Sequence, residues 1–269
     1  MKLLKTGKFF GETDQTLHLD GITLTNTEYT HGFVDWHYHE NAYFTFLIAG
    51  KVIEGNKKEK YTCMPGSLLF HHCEEPHYNI KPSGYTRGMH IELQKNWFLQ
   101  NSFYASLLQG NINIINPDVK IMIYTIHKEL KVLDGSSEII IHETILKIVE
   151  KMLHKSESTM YHKPAWVSKV KEILYDRSAE KISLKCLADE LKIHSVHLSR
   201  DFSKHFRCTI GQYMRKIKIE KSLSLLQNKK HSLTDISTMC GFADQSHYLR
   251  CFKEFNGLNP SEFRKIILR

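Results

Sequence analysis

The chain predicts an α+β protein: an N-terminal β-barrel followed by helices, then a C-terminal all-α part in which two helix-turn-helix units are joined by a long helix. Three observations predict it. Residues 1–93 carry short alternating apolar runs broken by turn residues. From residue 97 the apolar period changes to that of helices. Beyond residue 165 one helix, turn, helix pattern occurs twice.

In chain order, residues 16–25 (TLHLDGITLT) alternate around Asp20-Gly21, a dipeptide suited to a two-residue hairpin turn, with Leu17, Leu19, Ile22 and Leu24 apolar. Residues 43–48, 51–53, 61–63, 67–70 and 87–93 read as further strands, separated by polar residues 54–60 and by Pro65-Gly66. So many short strands imply a sandwich or barrel. Residues 97–109 then read as a helix. Pro117-Asp118 opens a longer one with the seam Val119, Met122, Ile126, Leu130 and Leu133, and Asp134-Gly135 separates it from a third, residues 136–154. A dimer contact and a layer packed on the barrel are both open to these helices. Residues 155–164 (KSESTMYHKP) have no apolar period and end at a proline, as a linker does.

The C-terminal part opens with a short amphipathic helix of Trp166, Val170, Ile173 and Leu174. Ser183 caps the next, with Leu184, Leu187, Ala188 and Leu191 inward. After the turn Lys192-Ile193-His194, residues 195–206 turn Leu198, Phe202 and Phe206 inward. Residues 211–227 form one long helix, burying Tyr213, Ile217, Ser224 and Leu225 and exposing Lys216, Lys218 and Lys221. Ser232 caps a short helix of Leu233, Ile236 and Cys240, with Asp235 completing a capping box and Gly241 as the stop. Asp244 caps the following helix, whose inner face is Tyr248, Cys251, Phe252 and Phe255. Asn256-Gly257 ends it, and Pro260-Ser261 opens a last one. Ser183-Leu184 recurs as Ser232-Leu233 at an offset of 49, and Arg200 and Phe202 recur as Arg250 and Phe252 at an offset of 50, so the second turn has one extra residue. Gln245, Ser246, Leu249 and Arg250 lie outward, a set suited to the major groove of DNA.

The net charge of +8 divides unevenly. Residues 165–269 hold 20 Lys or Arg against 11 Asp or Glu, and residues 1–164 hold 17 against 18. Localised positive charge is what phosphate contacts require, although an ordinary basic surface gives the same count. Cys63, Cys73, Cys186, Cys208, Cys240 and Cys251 form no CxxC pair, which fits reduced thiols better than a zinc site. With no apolar run of membrane-spanning length and no signal-peptide pattern, a cytoplasmic location is expected.

Residues 232–265 resemble the signature of the AraC/XylS transcription regulators at Ile236, Gly241-Phe242, Asp244-Gln245-Ser246, Arg250, Phe252-Lys253, Gly257, Pro260 and Arg264. The resemblance implies a regulator, more often an activator, with double-stranded DNA, a small-molecule effector, RNA polymerase and a second copy of the chain as partners. It also implies base contacts from Ser195, Val196, Ser199 and Arg200 in the first unit and from Gln245, Ser246, Leu249 and Arg250 in the second. Arginine suits guanine and glutamine adenine, whereas valine and leucine meet methyl groups. Each arginine has a phosphate contact as its alternative. The first unit departs from the family at Lys192 and Arg207, where glycine is usual, so the second unit is expected to discriminate more.

Trp36-His37-Tyr38-His39, Met64-Pro65-Gly66 and Glu75-Pro76-His77 resemble the two half-motifs of a cupin, a barrel that commonly forms the sensor half of this family. The implied organisation is a cupin-like sensing and dimerisation domain over residues 1–154, a linker over 155–164 and a DNA-binding domain over 165–269. Trp36, His37, His39, Phe44, Phe46 and His77 are the pocket candidates. Metal-binding cupins add a glutamate to such histidines, but here the chain reads Asn41-Ala42-Tyr43-Phe44-Thr45. The favoured reading makes the histidines pocket walls, with no metal and no cofactor; the alternative is a divalent ion on His37, His39 and His77. No catalytic residue is expected. Competing functions are an effector-independent dimeric regulator and a metal-dependent cupin enzyme joined to a DNA-binding domain.

Overall fold

The computed structural model describes residues 1–103, 111–157 and 164–268. Its contacts divide the chain into two compact units, Met1–Ser156 and Glu157–Arg269. The expected linker falls mostly outside the described residues.

The first unit runs β1 (Lys2–Leu4), β2 (Glu12–Leu19), β3 (Ile22–Glu28), β4 (Phe33–His39), β5 (Ala42–Ala49), β6 (Val52–Asn56), β7 (Lys60–Cys63), β8 (Leu68–His71), β9 (His77–Ile80), β10 (Arg87–Leu93), α1 (Lys95–Gln100), β11 (Asn111–Asn113), α2 (Pro117–Val132) and α3 (Ser137–Glu157). The strands form two sheets, ordered β1-β4-β9-β6-β7 and β11-β8-β5-β10-β3-β2. The expected barrel is therefore an open pair of sheets whose edges include the three-residue strands β1 and β11, short enough to offer little for further pairing. The hairpin at Asp20-Gly21 forms as its dipeptide predicts, with Gly21 at φ 69°.

Trp36-His37-Tyr38-His39 lies within β4 and directly precedes β5. The helix expected over residues 97–109 begins at Lys95 and ends at Gln100, where Asn101 leaves the helical region and Ser102 takes φ 58°; residues 104–110 lie outside those described. On α2, Val119, Ile126 and Leu130 are buried as the seam requires, but Leu133 is the exposed left-handed cap. Ile123, Tyr124 and His127 complete the buried face. Phe46 meets Tyr124 edge-on at 4.8 Å, so α2 covers the outer face of the six-stranded sheet.

The second unit comprises α4 (Ala165–Asp176), α5 (Leu184–Leu191), α6 (Ser195–Phe206), α7 (Ile210–Leu226), α8 (Leu233–Met239), α9 (Gln245–Asn256) and α10 (Pro260–Ile267). Helix α7 packs against α4, α6, α8 and α9, which makes it the shared core of both helix-turn-helix units. It buries Tyr213, Ile217, Ile219, Leu223 and Leu226, while the expected Ser224 and Leu225 are half-buried. Leu184, expected inward, is 39% exposed because the first turn of α5 projects beyond the core. Lys218 and Lys221, expected on the solvent side, are half-buried. Their ammonium groups donate to the carbonyls of Gly241 and Tyr175, respectively.

Candidate nucleic-acid interface and ligand pocket

Each recognition helix is fixed at its start by a cap. His194 Nδ1 accepts the Val196 N–H at the head of α6, and the Asp244 carboxylate accepts the His247 N–H at 2.7 Å at the head of α9. The preceding helices are fixed likewise, α5 by Ser183 on the Cys186 N–H and α8 by a two-way capping box between Ser232 and Asp235. Bonding to Ser232 also holds the Asp235 carboxyl below the ordinary range. The turns between them need a left-handed residue. Gly241 supplies it in the second unit at φ 72°, and Lys192 supplies it in the first at φ 55°. After the recognition helices, Gly257 at φ 72° and Arg207 at φ 52° play the same part. The non-glycine residues thus keep the turn geometry at a cost of about 1 kcal/mol each.

Leu198 and Phe202 on α6, and Tyr248, Cys251 and Phe252 on α9, face the core. That leaves Val196 at 65% exposure, with Ser199 and Arg200 exposed and Ser195 half-buried. On α9, Ser246 and Arg250 are exposed, and Gln245 and Leu249 are half-buried. The two arginines differ. Arg200 is engaged by Asp201 at 3.1 Å and by His197 at 3.3 Å. Gln245 accepts a hydrogen bond from the Thr234 hydroxyl at 2.6 Å, which ties α9 to α8. Arg264, part of the family signature, is structural: its Nε donates to the Leu226 carbonyl at the end of α7.

The first unit holds a pocket between its sheets. Antiparallel pairing sets His37 of β4 opposite His77 of β9, and Tyr43 of β5 opposite His71 of β8. Directly paired residues share a face, as do alternate residues along one strand. Hence His37, His39 and His77 converge, their ligand atoms all within 4.8 Å of one another. Tyr43, His71, His90 and Glu54 join them inside. Phe9 reaches in from the N-terminal segment and stacks on His90 at 3.5 Å, and Phe10 meets His37 edge-on at 5.0 Å. Thr6 and Gly7 anchor that segment through their N–H groups on the carboxylates of Glu40 and Glu92.

Three of the six pocket candidates are thereby corrected. Trp36 faces away from the pocket and meets Tyr78 at 5.0 Å. Phe44 and Phe46 alternate with Tyr43, Thr45 and Leu47 along β5, so they point to the helix-covered face while the latter three line the cavity. Glu54, His71, His90 and Phe9 carry no such signal in the sequence because they come from four separate segments with no common spacing.

Hydrogen bonds and burial define the state of these groups. A carbonyl can only accept, so His37 Nδ1–H donates to Asp35 at 2.8 Å and His77 Nδ1–H donates to Glu75 at 3.2 Å. The Tyr43 hydroxyl therefore donates to Nε2 of His77 at 2.9 Å. Burial first, then neighbouring imidazoles, holds His39 and His77 far below the ordinary histidine range. Burial pushes Glu54 up to about 8, and His71 Nε2 lies 3.3 Å from its carboxyl. The wall is thus mostly neutral.

Two successive, capped helix-turn-helix units sharing one central helix define a double helix-turn-helix protein. Residues 187–266 match the family model described as a helix-turn-helix domain. The probable transcription factor PqrA of Proteus vulgaris is 34% identical over 86 residues, 32% of this chain and 70% of that protein. The Msm operon regulatory protein of Streptococcus mutans is 32% identical over 114 residues, 42% of this chain and 41% of that one. The transcriptional activator RhaS of Escherichia fergusonii is 29% identical over 110 residues, 41% and 37% of the respective lengths. The matched region thus spans about two-fifths of these last two relatives. A crystal structure of apo ToxT from Vibrio cholerae aligns over 92% of this chain and 98% of that one with a TM-score of 0.40 at 14% identity. The chain belongs to the AraC/XylS family of transcription regulators.

Proposed function

We propose that the protein is a sequence-specific DNA-binding transcription regulator, acting as an activator, whose N-terminal unit senses a small ligand in the pocket between its sheets. The observation that carries this reading is the second recognition helix. Capping by Asp244 and the left-handed Gly241 orient α9 so that Ser246 and Arg250 are exposed opposite its buried face, with Gln245 and Leu249 half-buried beside them. The first unit repeats the arrangement with Ser195, Val196, Ser199 and Arg200. One polypeptide with two readers suits a site lacking internal two-fold symmetry.

The remaining partners follow from the same reading: RNA polymerase at the promoter, and a second copy of the chain. Exposed apolar side chains at the end of α2 and on α3, namely Val132, the cap residue Leu133 and Ile139, support a homodimer contact there. The relatives are named as regulators, which favours a non-enzymatic role. No described helix is long and apolar enough to cross a membrane, and the cytoplasm is the proposed location. Selection of duplexes from a random pool by the full-length protein tests the reading. Convergence on one asymmetric motif is expected. Recovery of unrelated sequences with equal affinity would count against it.

A further inference from the structure

We propose that the ligand of the N-terminal pocket is a single divalent transition-metal cation of the zinc class, held by His37, His39 and His77. This rests on the reading of that unit as the sensor, and it names the chemistry sensed.

The sheet register supplies the geometry. His37 and His77 are direct cross-strand partners and His39 lies two residues along β4, so all three rings enter from one sheet face. Their centroids are 4.2 Å apart for His37 and His77, 5.5 Å for His37 and His39, and 5.7 Å for His39 and His77. Two of the rings are already oriented by the backbone, His37 on the Asp35 carbonyl and His77 on the Glu75 carbonyl. A ring whose Nδ1–H is held by a carbonyl turns the lone pair of Nε2 inward, the arrangement found where histidines ligate metals; at His77 that lone pair accepts the Tyr43 hydroxyl at 2.9 Å, which an ion displaces on binding. The third ring leaves Nδ1 of His39 buried without a hydrogen-bond partner among the described residues. An orphaned buried acceptor is costly in a dry interior and is relieved when the ring takes up a ligand.

The donor set selects the class of ion. Three imidazoles suit zinc, copper, nickel and iron, whereas magnesium and calcium require oxygen ligands. Tyr43 lies in the stretch where metal-binding cupins carry a glutamate, so the fourth position is not filled by a carboxylate. Cavity size points the same way. With Phe9 stacked on His90, the space between the sheets is about 50 Å³. That admits an ion with a few waters, at ~10–15 Å³ for each water. Organic ligands take pockets of roughly 300–1,000 Å³.

The test uses the full-length protein stripped with a chelator and titrated with zinc, nickel, magnesium and calcium by equilibrium dialysis with elemental analysis. One zinc or nickel per chain is expected, with no retention of magnesium or calcium. His39→Gln and His77→Gln should each weaken zinc binding at least about a hundredfold, while Cys73→Ser leaves it unchanged. Should a variant fail to fold, cobalt(II) loading of the unmodified protein decides. Visible d–d bands without a thiolate charge-transfer band support the three histidines. A thiolate band, sub-stoichiometric zinc, or binding that survives both folded histidine variants overturns the proposal. Binding to the selected duplex, assayed on the same protein with and without zinc, separates the outcomes: specific DNA binding by a protein that takes up no metal rejects the metal alone, and absence of specific binding in both the stripped and the zinc-treated protein rejects the regulator reading.

Discussion

Lys192 and Arg207 each hold a left-handed backbone where their repeat partners Gly241 and Gly257 do so without a Cβ. Relieving that strain offsets the extra chain entropy of glycine, so Lys192→Gly is predicted to stabilise the C-terminal unit by about 0.5–1 kcal/mol. A higher urea midpoint at unchanged slope would show it, and a lower midpoint would refute it. The arginines also separate at this scale. Arg200 shares its guanidinium with Asp201 and His197, so under the proposed function Arg250 is expected to be the stronger base reader. Arg250→Ala is expected to cost about 1–3 kcal/mol at one base position. Uniform weakening across all sequences would instead assign that side chain to phosphate.

At the scale of elements, the helix-turn-helix angle depends on residues that touch no DNA. A Cβ on Gly241 would lie 2.4 Å from the Ala179 carbonyl oxygen, and the residue also sits at φ 72°. Gly241→Ala therefore combines backbone strain with a clash and is predicted to destabilise by at least about 2 kcal/mol. Thermal denaturation checks this; a loss under about 0.5 kcal/mol would mean that the turn relaxes freely. On the sheets, the comparable constraint is parity. A one-residue shift along a strand exchanges the pocket face for the opposite face, which is why Tyr43 and Thr45 line the cavity while Phe44 and Phe46 lie on the helix-covered side.

At the scale of the molecule, the two units respond to different conditions. Burial pushes His90 down to about 3; His127 is likewise held at about 3, by burial and then by the charges of Lys131 and Arg87. The folded first unit thus excludes protons that the unfolded chain accepts below 6.5. The contribution of these rings to stability is complete above pH 6.5 and is lost as pH falls toward 3. Glu54 acts in the opposite sense: its raised value of about 8 gives a contribution that fades as pH rises from 4.5 toward 8. The thermal midpoint of this unit is expected to fall between pH 6.5 and 4.5, less steeply in His127→Leu. A midpoint that stays level or rises on acidification would contradict the neutral-ring assignment. The C-terminal fragment 157–269, a compact unit by its contacts, is predicted to retain discrimination between the selected duplex and random DNA in a mobility-shift assay.

Local chemistry in the sequence determined the hairpin at Asp20-Gly21, the caps Ser183, Ser232 and Asp244, the repeat and the exposure of Ser246 and Arg250 on α9. Each rests on interactions within a few residues, so spacing alone suffices to reveal it. Tertiary structure decided what depends on distant segments meeting. It turned the expected barrel into two open sheets, drew Lys218 onto the carbonyl of Gly241 in the turn after α8 and Lys221 onto that of Tyr175 in α4, and removed Trp36, Phe44 and Phe46 from the pocket. It also brought Phe9, Tyr43, Glu54, His71 and His90 around the three histidines. Strand pairing fixes which residues face one another across the pocket, and that register is a property of the folded sheet rather than of any single stretch of chain.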